Sequence, residues 1–168
     1  MKTRLFFLVL LFICFSCGTN NKPLSEVQKE KIKGEVKEVV NTIIKGLKEV
    51  NFEVFIEPWL DSPDFVFISN GGGIYNYKFL MDKIKPVWSE LLNHELALID
   101  EKYAILDNST VLCTMNCKDL VDYKDGHSVI ADPMALLFIF KKINDEWKVI
   151  YGVHTFSPKS VNKSEDSQ

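Results

Sequence analysis

The acid–base chemistry this sequence offers is carried by Asp119, Asp132, Tyr151 and His154. Carboxylate, phenol and imidazole take or return a proton at carbon when the protein shifts them from their ordinary pKa. Asp119 is one candidate, near the end of its strand. Val111, Cys113, Met115, Cys117 and Val121 alternate along one side of a strand, and Asp119 shares their phase. A carboxylate there is either a functional group with a raised pKa or a residue beyond the edge of the cover. Asp132-Pro133 interrupts a later strand, which marks a bulge or an edge and could turn Asp132 into a cavity. On the last strand Trp147, Val149, Tyr151, Val153 and Thr155 share one side. His154 falls on the other and reads as a surface histidine unless a bulge resets the phase. His94, at a helix-to-strand junction, and His127, beside a hairpin turn, read as solvated loop residues.

Other chemistries find little support. No motif joins a nucleophile, a base and an oxyanion donor. On a strand, Cys113 and Cys117 would lie about 13 Å apart, beyond the roughly 7 Å that a disulfide spans. Without a CxxC pair or His-rich spacing, they read as small buried hydrophobes rather than zinc ligands. Asn70-Gly71-Gly72-Gly73 lacks the Lys and the Ser or Thr of a phosphate loop, so it reads as a hairpin turn. No metal and no cofactor is expected. Trp59, Tyr75, Trp88, Met115 and Tyr151 are the candidate ligand-binding walls, with core packing the competing role of the two tryptophans.

These side chains need elements to position them. Ser25 can cap a long helix striped by Val36, Val39, Val40, Ile43, Ile44, Leu47 and Val50. A short helix is expected from Phe52 to Trp59, ended by Asp61-Ser62-Pro63-Asp64. Phe65 to Ile68 is a strand, and Ile74-Tyr75 its hairpin return. Asn76 can cap a third helix, which Pro86 should kink or split near Asp82 to Lys85. Four strands follow, at about 94 to 106, 109 to 123, 128 to 142 and 146 to 157, joined by tight turns. The sheet must bury one face, and the helices are the available cover. The fold class is therefore α+β, with helices packed in a strongly curved antiparallel sheet. A long twisted sheet around helices leaves a cavity at its wide end.

The first residues read as an address. Lys2 and Arg4 precede an apolar run from Leu5 to Phe15, too short to span a bilayer. Ser16-Cys17-Gly18 then resembles a bacterial lipoprotein signal, although Cys14 stands where Leu is usual. The expectation is a signal peptide at 1–16, lipid on Cys17, a tether over 17–24 and a disordered tail at 158–168. The protein would then be exported and anchored in a bacterial cell envelope. The net charge of the whole chain is −3, and Arg4 is its single arginine. Loss of the leader leaves a more acidic chain without arginine, which argues against nucleic acid and phosphate clamping.

The order of elements resembles the nuclear transport factor 2-like superfamily, which includes ketosteroid isomerases and SnoaL-like polyketide cyclases on a cystatin-like cone. The resemblance rests on Ala135-Leu136-Leu137-Phe138-Ile139-Phe140-Lys141-Lys142 followed by Asp145-Glu146-Trp147-Lys148-Val149-Ile150-Tyr151, an ending typical of SnoaL-like domains. Pro63 to Ile68, the glycines and the helix with Trp88 match the front half. The likeness covers about 25–157. It implies a homodimer through the exposed side of the sheet, and it leaves activity open because this fold hosts enzymes and binding modules alike. Ketosteroid isomerases set a carboxylate base opposite a Tyr and a protonated Asp, a trio not found here at matching positions. The favoured expectation is a lipid-anchored domain binding a small apolar or amphipathic ligand, or a protein partner, without catalysis. The alternative is an enzyme doing acid–base chemistry at carbon with Asp119 or Asp132 and Tyr151. An open cone with a buried carboxylate in hydrogen-bond reach of Tyr or His would favour the enzyme.

Overall fold

In the computed structural model, which describes residues 23–162, helix α1 (Glu26–Lys48) begins at a reciprocal cap. The Gln28 backbone N–H donates to Ser25 Oγ, and the Ser25 backbone N–H donates to the Gln28 side chain. Its stripe of Ile32, Val36, Val40, Ile43 and Leu47 is buried. The leader at 1–16, Cys17 and the start of the tether lie outside the described residues. Among the described residues no helix is long and apolar enough to cross a membrane.

Helix α2 (Phe52–Ile56) crosses α1 closely, because a Cβ on Gly46 would stand 2.3 Å from Phe55 N. The helix ends earlier than the sequence suggests. Pro58 has no N–H to continue it, and the chain instead pairs with the last strand. Val149 N–H donates to Pro58 O at 2.8 Å, and Leu60 N–H donates to Val149 O at 2.9 Å. Trp59 is thereby fixed to the sheet by its own flanks.

Strands β1 (Val66–Ile68) and β2 (Ile74–Tyr75) form the expected hairpin, with Gly71 and Gly72 at φ +89 and +83. Asn76 caps α3 (Tyr77–Phe79). A π turn over Leu80–Ile84 then leads into α4 (Lys85–Trp88). Pro86 cannot donate an interior helical bond, and the turn is re-spaced where the sequence places the break.

The meander consists of β3 (Leu91–Asp107), β4 (Thr110–Tyr123), β5 (His127–Ile143) and β6 (Glu146–Asn162). The six strands run in the order β2-β1-β6-β5-β4-β3. The sheet is mixed rather than wholly antiparallel, since β1 pairs with β6 in parallel, Val66 facing Tyr151. Two boundaries differ from the sequence reading. β3 starts at Leu91, so His94 is a strand residue and not a loop residue. β6 continues past 157, and its backbone pairs with β5 as far as His127 opposite Asn162. The disordered tail expected from 158 therefore does not hold for 158–162, because the first residues of β5 need a ladder partner.

Several bulges set which side chains turn inward. Ile99 is unmatched between Leu98–Cys117 and Asp100–Asn116. Asp132 and Pro133 together interrupt the pairing of β5 with both neighbours. Ile150 is unmatched between Phe140–Val149 and Ile139–Tyr151. Each extra residue flips the side-chain phase beyond it.

Candidate active site in the cone

The concave face of the sheet and the helices enclose an open cavity of about 250 Å³. Val40, Ile43 and Leu47 of α1 form one wall, with Phe55, Trp59 and Trp88 beside them. Leu96, Met115, Met134, Leu136 and Phe138 form the sheet wall. Three titratable side chains break this apolar lining: His94, Asp119 and His154.

Asp119 keeps the inward phase of Val111, Cys113, Met115 and Cys117 and lies opposite Leu96 of β3. One step along, His94 shares the phase of Leu96. Its Nε2 lies 2.9 Å from Asp119 Oδ1, and both side chains are largely shielded, at 13% and 17% exposure. An ionised carboxylate only accepts hydrogen bonds, so the imidazole N–H at Nε2 donates. His94 Nδ1 is then left buried without a hydrogen-bond partner among the described residues. The sequence reading of His94 as a solvated residue is thus corrected. The usable signal was the alternation His94, Leu96, Leu98, which extends the apolar phase backward through the histidine.

The bulge at Ile150 reverses the reading of β6. Beyond it Gly152, His154 and Phe156 share the inward side with Trp147 and Val149, while Tyr151, Val153 and Thr155 turn outward. His154 is therefore a cavity residue and not a surface histidine. Its ring meets Phe67 at 5.0 Å and Phe156 at 5.2 Å between centroids, both edge-on. Gly152 makes the Phe67 position possible, since a Cβ there would stand 2.7 Å from the Phe67 ring. Burial pushes the His154 pKa below its ordinary value, and the Asp119 charge acts in the opposite sense. Met134 and Leu136 of β5 lie between the two polar positions.

The other expected residues separate. Trp59, Trp88 and Met115 line the cavity. Tyr75 stacks on Phe79 at 3.9 Å and is not part of the lining. Tyr151 is on the far face, one residue beyond the bulge. Asp132 stays half-exposed on its own bulge and pairs with Lys118 at 3.1 Å, so it does not enter the cavity. His127 is held by Asp125 beside the turn, as a solvated position should be. Cys113 and Cys117 are buried free thiols. Burial, and then the Asp119 charge, push the Cys117 thiol up to about 11, which leaves it protonated and inert at neutral pH. Among the described residues no group of three His, Cys, Asp or Glu side chains is placed to hold a metal ion.

Trp59 has a second unusual property. Among the described residues its Nε1 is buried without a hydrogen-bond partner, like His94 Nδ1. Leaving such a group unpaired costs roughly 1–3 kcal/mol. Both side chains face the same cavity.

No family model and no curated protein matches this sequence. Solved structures do match it in shape. A candidate scytalone dehydratase from Novosphingobium aromaticivorans superposes with a TM-score of 0.71 at 6% identity, over 82% of this chain and 91% of that one. A nuclear transport factor 2-like superfamily protein from Salmonella enterica gives 0.67 at 12% identity, over 83% and 99%. This chain has the nuclear transport factor 2-like fold. A hexachlorocyclohexane dehydrochlorinase from Novosphingobium barchaimii shares the same nuclear transport factor 2-like cone, with a TM-score of 0.63 at 13% identity, over 80% and 94%. At these identities the likeness concerns the fold alone. Its enzyme neighbours show that the cone can house catalysis, and the residues of this chain must carry any claim about its chemistry.

Proposed function

We propose that this protein binds a compact, mostly apolar molecule in the cone and moves a proton at one of its carbon atoms. The observation that carries the reading is the convergence of the His94–Asp119 pair and His154 on one otherwise apolar cavity. His154 is the base. Burial favours its neutral form, which is the form that accepts a proton, and it makes no hydrogen bond among the described residues. Asp119 stabilises the imidazolium that forms, and His94 holds the Asp119 carboxylate in place. This favours the enzymatic alternative over binding without catalysis, with Asp119 kept, His154 in the place given to Tyr151, and Asp132 left out.

The neighbours described as a dehydratase and a dehydrochlorinase support the same reading. Loss of water or hydrogen chloride from adjacent carbons requires a proton to leave carbon. The test is turnover of a panel of single-ring ketones, alcohols and halides by the wild type and by His154→Asn. Loss of turnover in the variant by about 10²–10⁴-fold, the worth of a positioned base, is the expected result. Ligands that bind and are never altered would return the protein to the binding role.

The same proposal places the domain at a membrane surface through lipid on Cys17. Palmitate-analogue label on the wild type, absent from Cys17→Ser, would support it, and equal label on both would reject it. It also includes a homodimer through the outward sheet face of Leu112, Ile139 and Tyr151, a cross-strand row. Sedimentation as a monomer at high concentration would remove the dimer.

A further inference from the structure

The cone carries one unbalanced charge. Asp119 lines the cavity, and its Oδ1 lies 2.9 Å from His94 Nε2. Asp119 Oδ2 makes no hydrogen bond among the described residues. A carboxylate can accept about four. His94 supplies a neutral donor and no countercharge. An imidazolium would carry a second N–H at Nδ1, which is buried and has no partner among the described residues. Among the described residues no lysine lines the cavity. Lys118, next to Asp119 in sequence, turns to the other face of the sheet and pairs with Asp132 at 3.1 Å. After burial, the Asp119 charge is the next influence on the pKa of His154, Cys117 and Tyr123, and it acts to hold the proton on each. A carboxylate set in an apolar wall, with one oxygen unused and no cation beside it, lacks a positive partner.

We infer that the ligand of the cone is a compact single-ring amine in its ammonium form, whose N–H donates to Asp119 Oδ2 while its ring fills the apolar lining. This rests on the acid–base reading of the site and names its substrate class. Size supports a single ring. An apolar cavity of about 150 Å³ holds benzene, and this one measures about 250 Å³. The walls suit a cation with an apolar body. The rings of Phe55, Phe67, Trp88, Phe138 and Phe156 line the cavity, and aromatic rings attract ammonium groups. Trp88 stands beside the charged pair, its ring centroid 6.3 Å from that of His94. The charge-assisted bond to Oδ2 repays the water that the ammonium gives up on entry. An anionic head would meet the Asp119 charge with no cation to offset it. Asp119 thus selects the sign of the ligand, and the same contact sets the end of the molecule that lies beside β4.

The probes are cyclohexylamine, cyclohexanol and cyclohexanecarboxylate, which present one ring with a positive, a neutral and a negative head at neutral pH. Affinities are measured by NMR titration of the wild type and of Asp119→Asn, and the His154 ring protons report occupancy of the cone. The amine should bind the wild type at least about tenfold more tightly than the alcohol, the effect of one charge-assisted hydrogen bond. The carboxylate should bind more weakly than either. In Asp119→Asn the amine and the alcohol should bind alike. An alcohol bound as tightly as the amine by the wild type would overturn the inference without recourse to any variant. A preference kept in Asp119→Asn, a carboxylate bound as well as the amine, His154 signals unmoved at saturation, or binding of none of the three would overturn it as well. Exchange of cyclohexanone α-protons in D₂O reads the acid–base function separately. Exchange without a preference for the amine removes the charge selection and leaves that function standing. The preference without exchange does the reverse.

Discussion

His94 Nε2 sits 2.9 Å from Asp119 Oδ1, diagonally across the first two strands of the meander, inside an otherwise apolar cone. Removing the carboxylate strands an imidazole N–H away from water. Asp119→Ala is expected to cost roughly 1–3 kcal/mol in urea unfolding. Asp119→Asn keeps an acceptor oxygen and should cost less. Equal losses in both would mean that the contact is incidental.

The Asp119 charge also reaches His154, where it opposes the effect of burial. Asp119→Asn should therefore lower the His154 pKa further. An NMR titration of the His154 ring protons reads this directly. A raised or unchanged pKa in Asp119→Asn would contradict the electrostatic link between them.

The same histidine makes stability depend on pH. Its folded pKa lies below the ordinary 6.5, so near that value the unfolded chain binds the proton more readily. Stability rises with pH wherever the unfolded state holds more protons. The contribution is complete above 6.5 and is lost as the pH falls through the folded pKa. Thermal unfolding should show a midpoint that drops on acidification below 6.5, and His154→Phe should flatten that part of the curve. An equal drop in the variant would place the effect elsewhere.

The cavity itself can be filled. Leu136 pairs with His154 across β5 and β6 and lines the cone. Leu136→Phe adds bulk where there is empty space, so it should leave the melting temperature unchanged or raise it. Cyclohexanone binding should weaken at least about tenfold, which corresponds to about 1.4 kcal/mol. Unchanged affinity in a stable variant would show that the ligand binds outside the cone.

The meander and its cover were legible because they rest on local rules. Alternation along β4 turned Asp119 inward, Ser25 and Asn76 marked helix starts, and Pro86 marked the broken turn. The histidines were not legible in the same way. The orientation of His154 depends on one extra residue, Ile150, whose bulge is set by pairing with β5 and β1 and leaves no local signature. His94 was misread because β3 begins at Leu91, where its pairing with Tyr123 of β4 overrides the weak strand signal at the junction. Trp59 could be named as wall or core. That its N–H is buried without a partner among the described residues is a matter of tertiary packing.

The central claim is that His154 takes a proton from carbon, and one measurement reaches it most directly. Cyclohexanone in D₂O is incubated with the wild type and with His154→Asn, and the α-proton signal is followed by NMR against buffer alone. The wild type should accelerate the loss of that signal, and the variant should fall about 10²–10⁴-fold toward the buffer rate. No acceleration by wild-type protein saturated with the ketone, or the same acceleration by His154→Asn, would contradict the account.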